Sequence, residues 1–341
     1  MAYSSTEVSP VESSPKEERR NWVELPRDVT ASILSRLGAI EILTSGQMVC
    51  KAWLEICKDP LMWRTIDMYN LGDPDLGLDL EKMCRHAVDR SCGELVDINL
   101  EYFATDELLQ YITDRSNQIK LLRLACCYHV SDEGLIEAIG KLPLLEELDL
   151  TLCSFSVEPF KALGRSCSHL KSLKLNCQAY RISIEDLDDE VEFNDEVIAI
   201  GENLSELRHL QLIGNGMTNM GLEAILDGCP NLESLDLRRC LNIDLRGNLG
   251  KRCAEQIKHL RLPGDSIKDY RFVADPDDGL LDEDNPFCFA GADFLLGEYL
   301  ELEDGNDDAY DYDYAYDDCG YLSGIDSLDY DDFTALNDDD F

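Results

Sequence analysis

Five histidines (His86, His129, His169, His209 and His259), fourteen cysteines and 70 carboxylates are the groups in this chain that could move protons, attack carbonyls or hold metal ions. Nucleophilic attack needs a nucleophile, a base and an orienting acid together, and no short motif here joins a histidine to such partners. The sequence has no C-x-x-C pair, no glycine-rich phosphate loop and no nucleophile elbow. Cys126-Cys127 with His129 comes nearest to a zinc set, but it reads better as the turn of one repeat. The acidic run IEDLDDEVEFNDE from Ile184 lacks the tight glycine turn around which calcium ligands are spaced, and reads as a solvated rim loop. An enzyme is not expected, nor is any metal or cofactor.

Ionic recognition is the chemistry that remains. Lys174, His209, Arg238, Arg239 and Arg261 form a candidate target-binding set. Together they would grip an acidic target or be shielded by the chain's own acidic end. The same residues would also suit an ordinary solvated sheet with no ligand. The formal net charge is -40, and from Ser266 onward 25 Asp or Glu face only Lys268 and Arg271, a net of -23. Such a chain repels phosphate backbones and anionic lipid, so neither nucleic acid nor membrane is an expected partner. The N-terminal 20 residues lack a signal peptide's apolar core, and no run of about 18 apolar residues occurs. The expected location is the cytosol or nucleus, where the thiols stay reduced.

The candidate cations are positioned by a repeat. The template Leu-x-x-Leu-x-Leu begins at Leu95, Ile119, Leu145, Leu170, Leu207, Leu232 and Ile257, in steps of 24, 26, 25, 37, 25 and 25 residues. Each copy supplies a short strand, and stretches such as Asp132 to Ile139, Val197 to Leu204 and Gly221 to Leu226 supply helices between them. One such unit cannot bury its leucines until a neighbour covers them, so the copies must stack. Cys127, Cys153 and Cys240 fall eight residues after a first anchor, where a small buried hydrogen-bonding group suits the turn; Cys92, Cys167 and Cys229 fall three before one. Strand alternation turns the residues flanking the second and third anchors outward, among them Asp97, Asn99, Glu101, Arg123, Glu147, Asp149, Thr151, Asn176 and Asp236. Early repeats therefore present acids and late ones bases.

Ahead of the repeats lies a helical cluster. Leu25-Pro26 opens a helix with Val29, Ile33, Leu34 and Leu37 on one face and Gly38 at its end; Ile40, Ile42 and Leu43 suggest a second. Met48, Val49, Ala52, Trp53, Ile56 and Cys57 mark a third, stopped at Asp59-Pro60. Some 45 residues carrying Trp22, Trp53 and Trp63 are too few to bury such apolar surface alone, so a partner or the repeats must cover it. Trp63-x-x-Ile66-x-Met68 fits the repeat template and joins the cluster to the first strand.

These residues resemble the F-box: the Leu25-Pro26 opening, the Ile33 to Leu37 stretch, Val49-Cys50-Lys51 followed by Trp53, and the Asp59-Pro60-Leu61-x-Trp63-Arg64 close. The resemblance implies docking onto the Skp adaptor, and through it a cullin, with Leu25, Pro26, Ile33, Leu37, Val49, Cys50 and Trp53 at the matching positions. The repeats resemble the cysteine-containing leucine-rich class, and ILDGCPNLESLDLRRC is similar to plant F-box/leucine-rich-repeat proteins of the Skp-interacting-partner kind. The expected chain is α/β: a disordered leader (1–20), a three-helix F-box (21–66), a right-handed leucine-rich-repeat horseshoe with a parallel concave sheet (63–265) and a disordered acidic tail (266–341). The implied function is substrate recognition in an SCF ubiquitin ligase for an unidentified target. A ligase-independent repeat scaffold or an acidic chaperone for basic proteins is the alternative.

Overall fold

A strand with aliphatic residues at alternate positions has one face to bury, and a helix on the next segment can cover it only if both recur in step. The computed structural model describes residues 25–70, 72, 77–177 and 194–272, and it shows that stepwise solution. Three helices come first: α1 (Arg27–Leu34), α2 (Ala39–Thr44) and α3 (Lys51–Cys57). Strands and helices then alternate: β1 (Thr65–Met68), α4 (Leu80–Arg90), β2 (Asp97–Glu101), α5 (Asp106–Arg115), β3 (Leu121–Ala125), α6 (Asp132–Lys141), β4 (Glu147–Thr151) and α7 (Glu158–Ser166). The series closes with β5 (Ser172–Asn176), α8 (Asp195–Asn203), β6 (His209–Gln211), α9 (Asn219–Gly228), β7 (Ser234–Asp236), α10 (Asn248–Gln256) and β8 (His259–Arg261).

The eight strands form one sheet in sequence order, every neighbouring pair parallel. Its register puts the second anchors, Ile66, Ile98, Leu122, Leu148, Leu173, Leu210, Leu235 and Leu260, in one row. All are buried except Leu260, which lies on the last of the described strands, where no further described repeat covers it. Packed helices need 8–10 Å of spacing and hydrogen-bonded strands about 4.8 Å, so a stack of such units bends with the strands inside. The fold is the leucine-rich-repeat solenoid expected from the period.

Small groups let the units close up. Cys127 Sγ donates to Leu100 O of the preceding repeat at 3.6 Å, Cys153 to Leu124 O at 3.6 Å, and Cys240 to Leu212 O at 2.9 Å. Between α8 and α9, a Cβ built on Gly228 would lie 1.9 Å from the Gly201 carbonyl oxygen, so glycine alone fits there. Cys92 departs from expectation: it is exposed, at φ 49°, on the turn after α4.

The helical module is locked to the solenoid through Trp63, which is 1% exposed. Its indole Nε1 donates to Cys57 O at 2.8 Å, while Arg90 of α4 sits 5.5 Å over the ring and donates to Gln47 Oε1 at 3.0 Å. β1, directly after Trp63, is the first strand of the sheet.

Several expectations fall outside the described residues: the leader, Trp22, most of the acidic insertion and the tail from residue 273. The tail boundary needs correction, because residues 266–272 turn back onto the sheet instead of leaving it. Glu101, Thr151 and Arg238, expected to face solvent, are 1–2% exposed where this segment meets them, and Asn176, at 1%, is buried among Thr151, Gln211 and Ile213, to which its side chain hydrogen-bonds.

Candidate functional site

The N-terminal module keeps a set of large apolar side chains in water. Val29, Met48, Val49 and Leu61 are 40%, 54%, 56% and 63% exposed. Helical spacing groups Val29 with Ile33, Leu34 and Leu37, and Met48 with Val49, Ala52 and Trp53. At seven or eight residues α1 and α3 are too short to bury a wide stripe, and Met48 ends a 3-10 turn (Gly46–Met48) ahead of α3. Of the seven motif residues, Pro26 and Val49 are exposed, and Leu25, Ile33, Leu37, Cys50 and Trp53 are half-buried. Leu37 and Trp53 also pack against the core. Exposed Leu61 was legible only as part of the Asp59-Pro60-Leu61 close, and nothing in its spacing marked it as a surface anchor.

On the sheet face, the row between second and third anchors reads Asp67, Asn99, Arg123, Asp149, Lys174, Gln211, Asp236 and Arg261. Charges alternate along it and pair across strands. Arg123 donates to Asp97 at 2.7 Å, and Lys174 lies 2.9 Å from Glu147 and 3.3 Å from Asp149. Burial works against the charge on Lys174, but Asp149 and Glu147 outweigh it, and its pKa rises. Cross-strand pairing of this kind stabilises the sheet and leaves little net potential.

Arg238 corrects the free basic patch most directly. Its side chain is 3% exposed, chelated by Asp236 through Nε at 2.9 Å and Nη2 at 2.8 Å, and its Nη1 donates to Ser266 O at 2.9 Å and to Asp269. Asp269 also accepts from Arg261 at 2.7 Å. Arg261 and then Arg238 hold the Asp269 carboxyl down at about 2. Lys174, His209, Arg238 and Arg261 do come together, lining one cavity of about 280 Å³ over β5 to β8. Arg239, on a left-handed turn at φ 61°, does not line it. No group of three or more His, Cys, Asp or Glu among the described residues is placed to hold a metal ion.

The segment that delivers Asp269 crosses much of the sheet. Ile267 is buried at 8% exposure, and the Tyr270 phenol lies beside Asp149 and Thr151 of β4, where burial and then the Asp149 carboxylate push its pKa far up. Arg271 pairs with Glu101 of β2, which is 1% exposed, and stacks 4.5 Å from the Tyr69 ring. Sequence reading missed this strap because its partners are up to 170 residues away.

Comparison with known proteins fits both halves of this architecture. The F-box-like family model matches residues 22–69. F-box protein SKIP19 of Arabidopsis thaliana is 49% identical over 87% of this chain and 92% of its own length. Putative F-box/LRR-repeat protein 23 of the same plant is 53% identical over 77% of this chain and 58% of its own, and putative F-box/LRR-repeat protein 21 is 47% identical over 75% and 86%. With identity at this level along nearly the whole of a relative, the chain belongs to the family of plant F-box proteins with leucine-rich repeats.

Proposed function

We propose that the chain is the substrate-receiving subunit of an SCF ubiquitin ligase, working in the cytosol or nucleus. Its N-terminal module docks on the Skp adaptor, and through it a cullin, while the strand face holds a target protein. The observation that carries this reading is the exposure of Val29, Met48, Val49 and Leu61 on the module that the F-box-like family model matches. Apolar surface in water is unfavourable by about 25 cal/mol per Å², and a partner's apolar groove would recover that free energy.

In this role the chain makes and breaks no bond. It raises the local concentration of a target at the ligase, which requires a fixed geometry between docking module and target face. The Trp63 to Arg90 junction and the shared first strand supply the rigidity. The test is size-exclusion chromatography of the full chain mixed with a purified Skp adaptor. Co-elution as a one-to-one complex is expected. A chain that elutes alone would instead be a ligase-independent scaffold or an acidic chaperone for basic proteins.

A further inference from the structure

We infer that the strand face recognises a target segment carrying an acid, an aromatic and a base in succession, and that residues 265–272 close that face as an internal copy of the ligand. This rests on the reading of the chain as a target receptor and adds the chemistry of the target.

The face has two charged sockets of opposite sign. At the β7 and β8 end, buried Arg238 and exposed Arg261 converge on one carboxylate, Asp269. At the β2 end, Glu101 is 1% exposed and takes a guanidinium, Arg271, against the Tyr69 ring. Between them the Tyr270 phenol lies by Asp149 and Thr151. Three successive residues, Asp269-Tyr270-Arg271, thus span β8 to β2 and match a negative socket-filler, an aromatic and a positive one.

The fit of the strap is incomplete. Glu101 Oε2 is buried and accepts no hydrogen bond, because Arg271 reaches Oε1 through Nη2 alone. The Tyr270 hydroxyl is likewise buried without a hydrogen bond of good geometry, although Thr151 lies beside it. A buried polar atom left bare is unfavourable, and a guanidinium presented in its forked geometry would satisfy both Glu101 oxygens. Apart from Ile267 and Tyr270, the strap is held mainly by ion pairs in which its own Asp269 and Arg271 are about half exposed, so a competing ligand can reach the strap's side of each pair. The cavity bounded by Asp269, His209 and His259 leaves about 280 Å³ beside the acid socket for flanking target residues. A ligand of the strap's chemistry and better geometry would displace it.

The probe is a fluorescein-labelled peptide of the strap sequence, DSIKDYRF, titrated by anisotropy into the full chain and into Asp269→Asn/Arg271→Gln, which loosens the strap. The loosened chain should bind the peptide, and the intact chain at least about ten-fold more weakly, since a strap closed about 90% of the time imposes that factor. The charge-exchanged peptide DSIKRYDF should not bind, and Glu101→Gln in the loosened chain should abolish binding of DSIKDYRF. Equal binding of both peptides, or of neither, to the loosened chain overturns the inference, as does strap exchange into a dimer seen by light scattering. Should the loosened chain fail to fold, hydrogen exchange at residues 265–272 of the intact chain decides: DSIKDYRF at millimolar concentration must speed it and DSIKRYDF must not. Adaptor co-elution, read on the same samples, reports on the receptor reading separately.

Discussion

The charges on the strand face are held by partners from neighbouring strands and from the returning segment. Arg238 alternates outward in the strand pattern, yet the chain bends back to cover it, and its guanidinium ends as a buried hub for Asp236 and Asp269. Lys174 lies on the strand face, and its carboxylate neighbours Asp149 and Glu147 sit 25 and 27 residues earlier, one register step away, so its neutralisation was invisible locally. Asp269 should titrate near 2 by carboxyl NMR. Because its folded pKa is depressed below the ordinary Asp value of about 3.9, its pairing stabilises the strap above about pH 4 and is lost as pH falls through 2. Titration at the ordinary value would mean that the strap does not hold Arg238 and Arg261. Cysteines give a second check. Burial pushes Cys84, Cys127 and Cys240 up to about 12, so they stay protonated at neutral pH, whereas Cys92 is exposed. Iodoacetamide should alkylate Cys92 in minutes and the other three only after unfolding, as read by peptide mass spectrometry.

At the scale of elements the sequence was most legible where the period was strict. Each second anchor from Ile98 to Leu260 fell on a strand, because a leucine at that spacing has only one dry place to go. The strap lacked a period altogether. Its four-residue order of acid, aromatic, base and aromatic reads like the low-complexity sequence that follows it, and only its tertiary contacts reveal it. Contacts between helices were equally hidden. Gly228 is an unremarkable C-terminal glycine in sequence, but its Cα lies against the Gly201 carbonyl. Gly228→Ala should therefore force α8 and α9 apart and lower stability by about 1–3 kcal/mol in urea unfolding, although alanine is the better helix former. An unchanged or higher midpoint would show that the helices separate freely.

For the whole molecule, the proposed receptor role joins the exposed apolar face of the N-terminal module to the strand face through the Trp63 junction and the first strand. The motif residues Leu37 and Trp53 turn their side chains partly into the core, so acidic substitutions there would unfold the module and say little about docking. Met48 and Val49 are more than half exposed and offer a clean separation of folding from binding. The most direct measurement is the affinity of a Skp adaptor for Met48→Asp/Val49→Asp beside the unaltered chain, by isothermal titration calorimetry, with thermal melts of both proteins. Docking through this face predicts a loss of about a hundred-fold or more, on the order of 3 kcal/mol, with the melting temperature unchanged. Unaltered affinity, or a melting temperature that collapses with it, would contradict the assignment of this exposed apolar face as the docking surface.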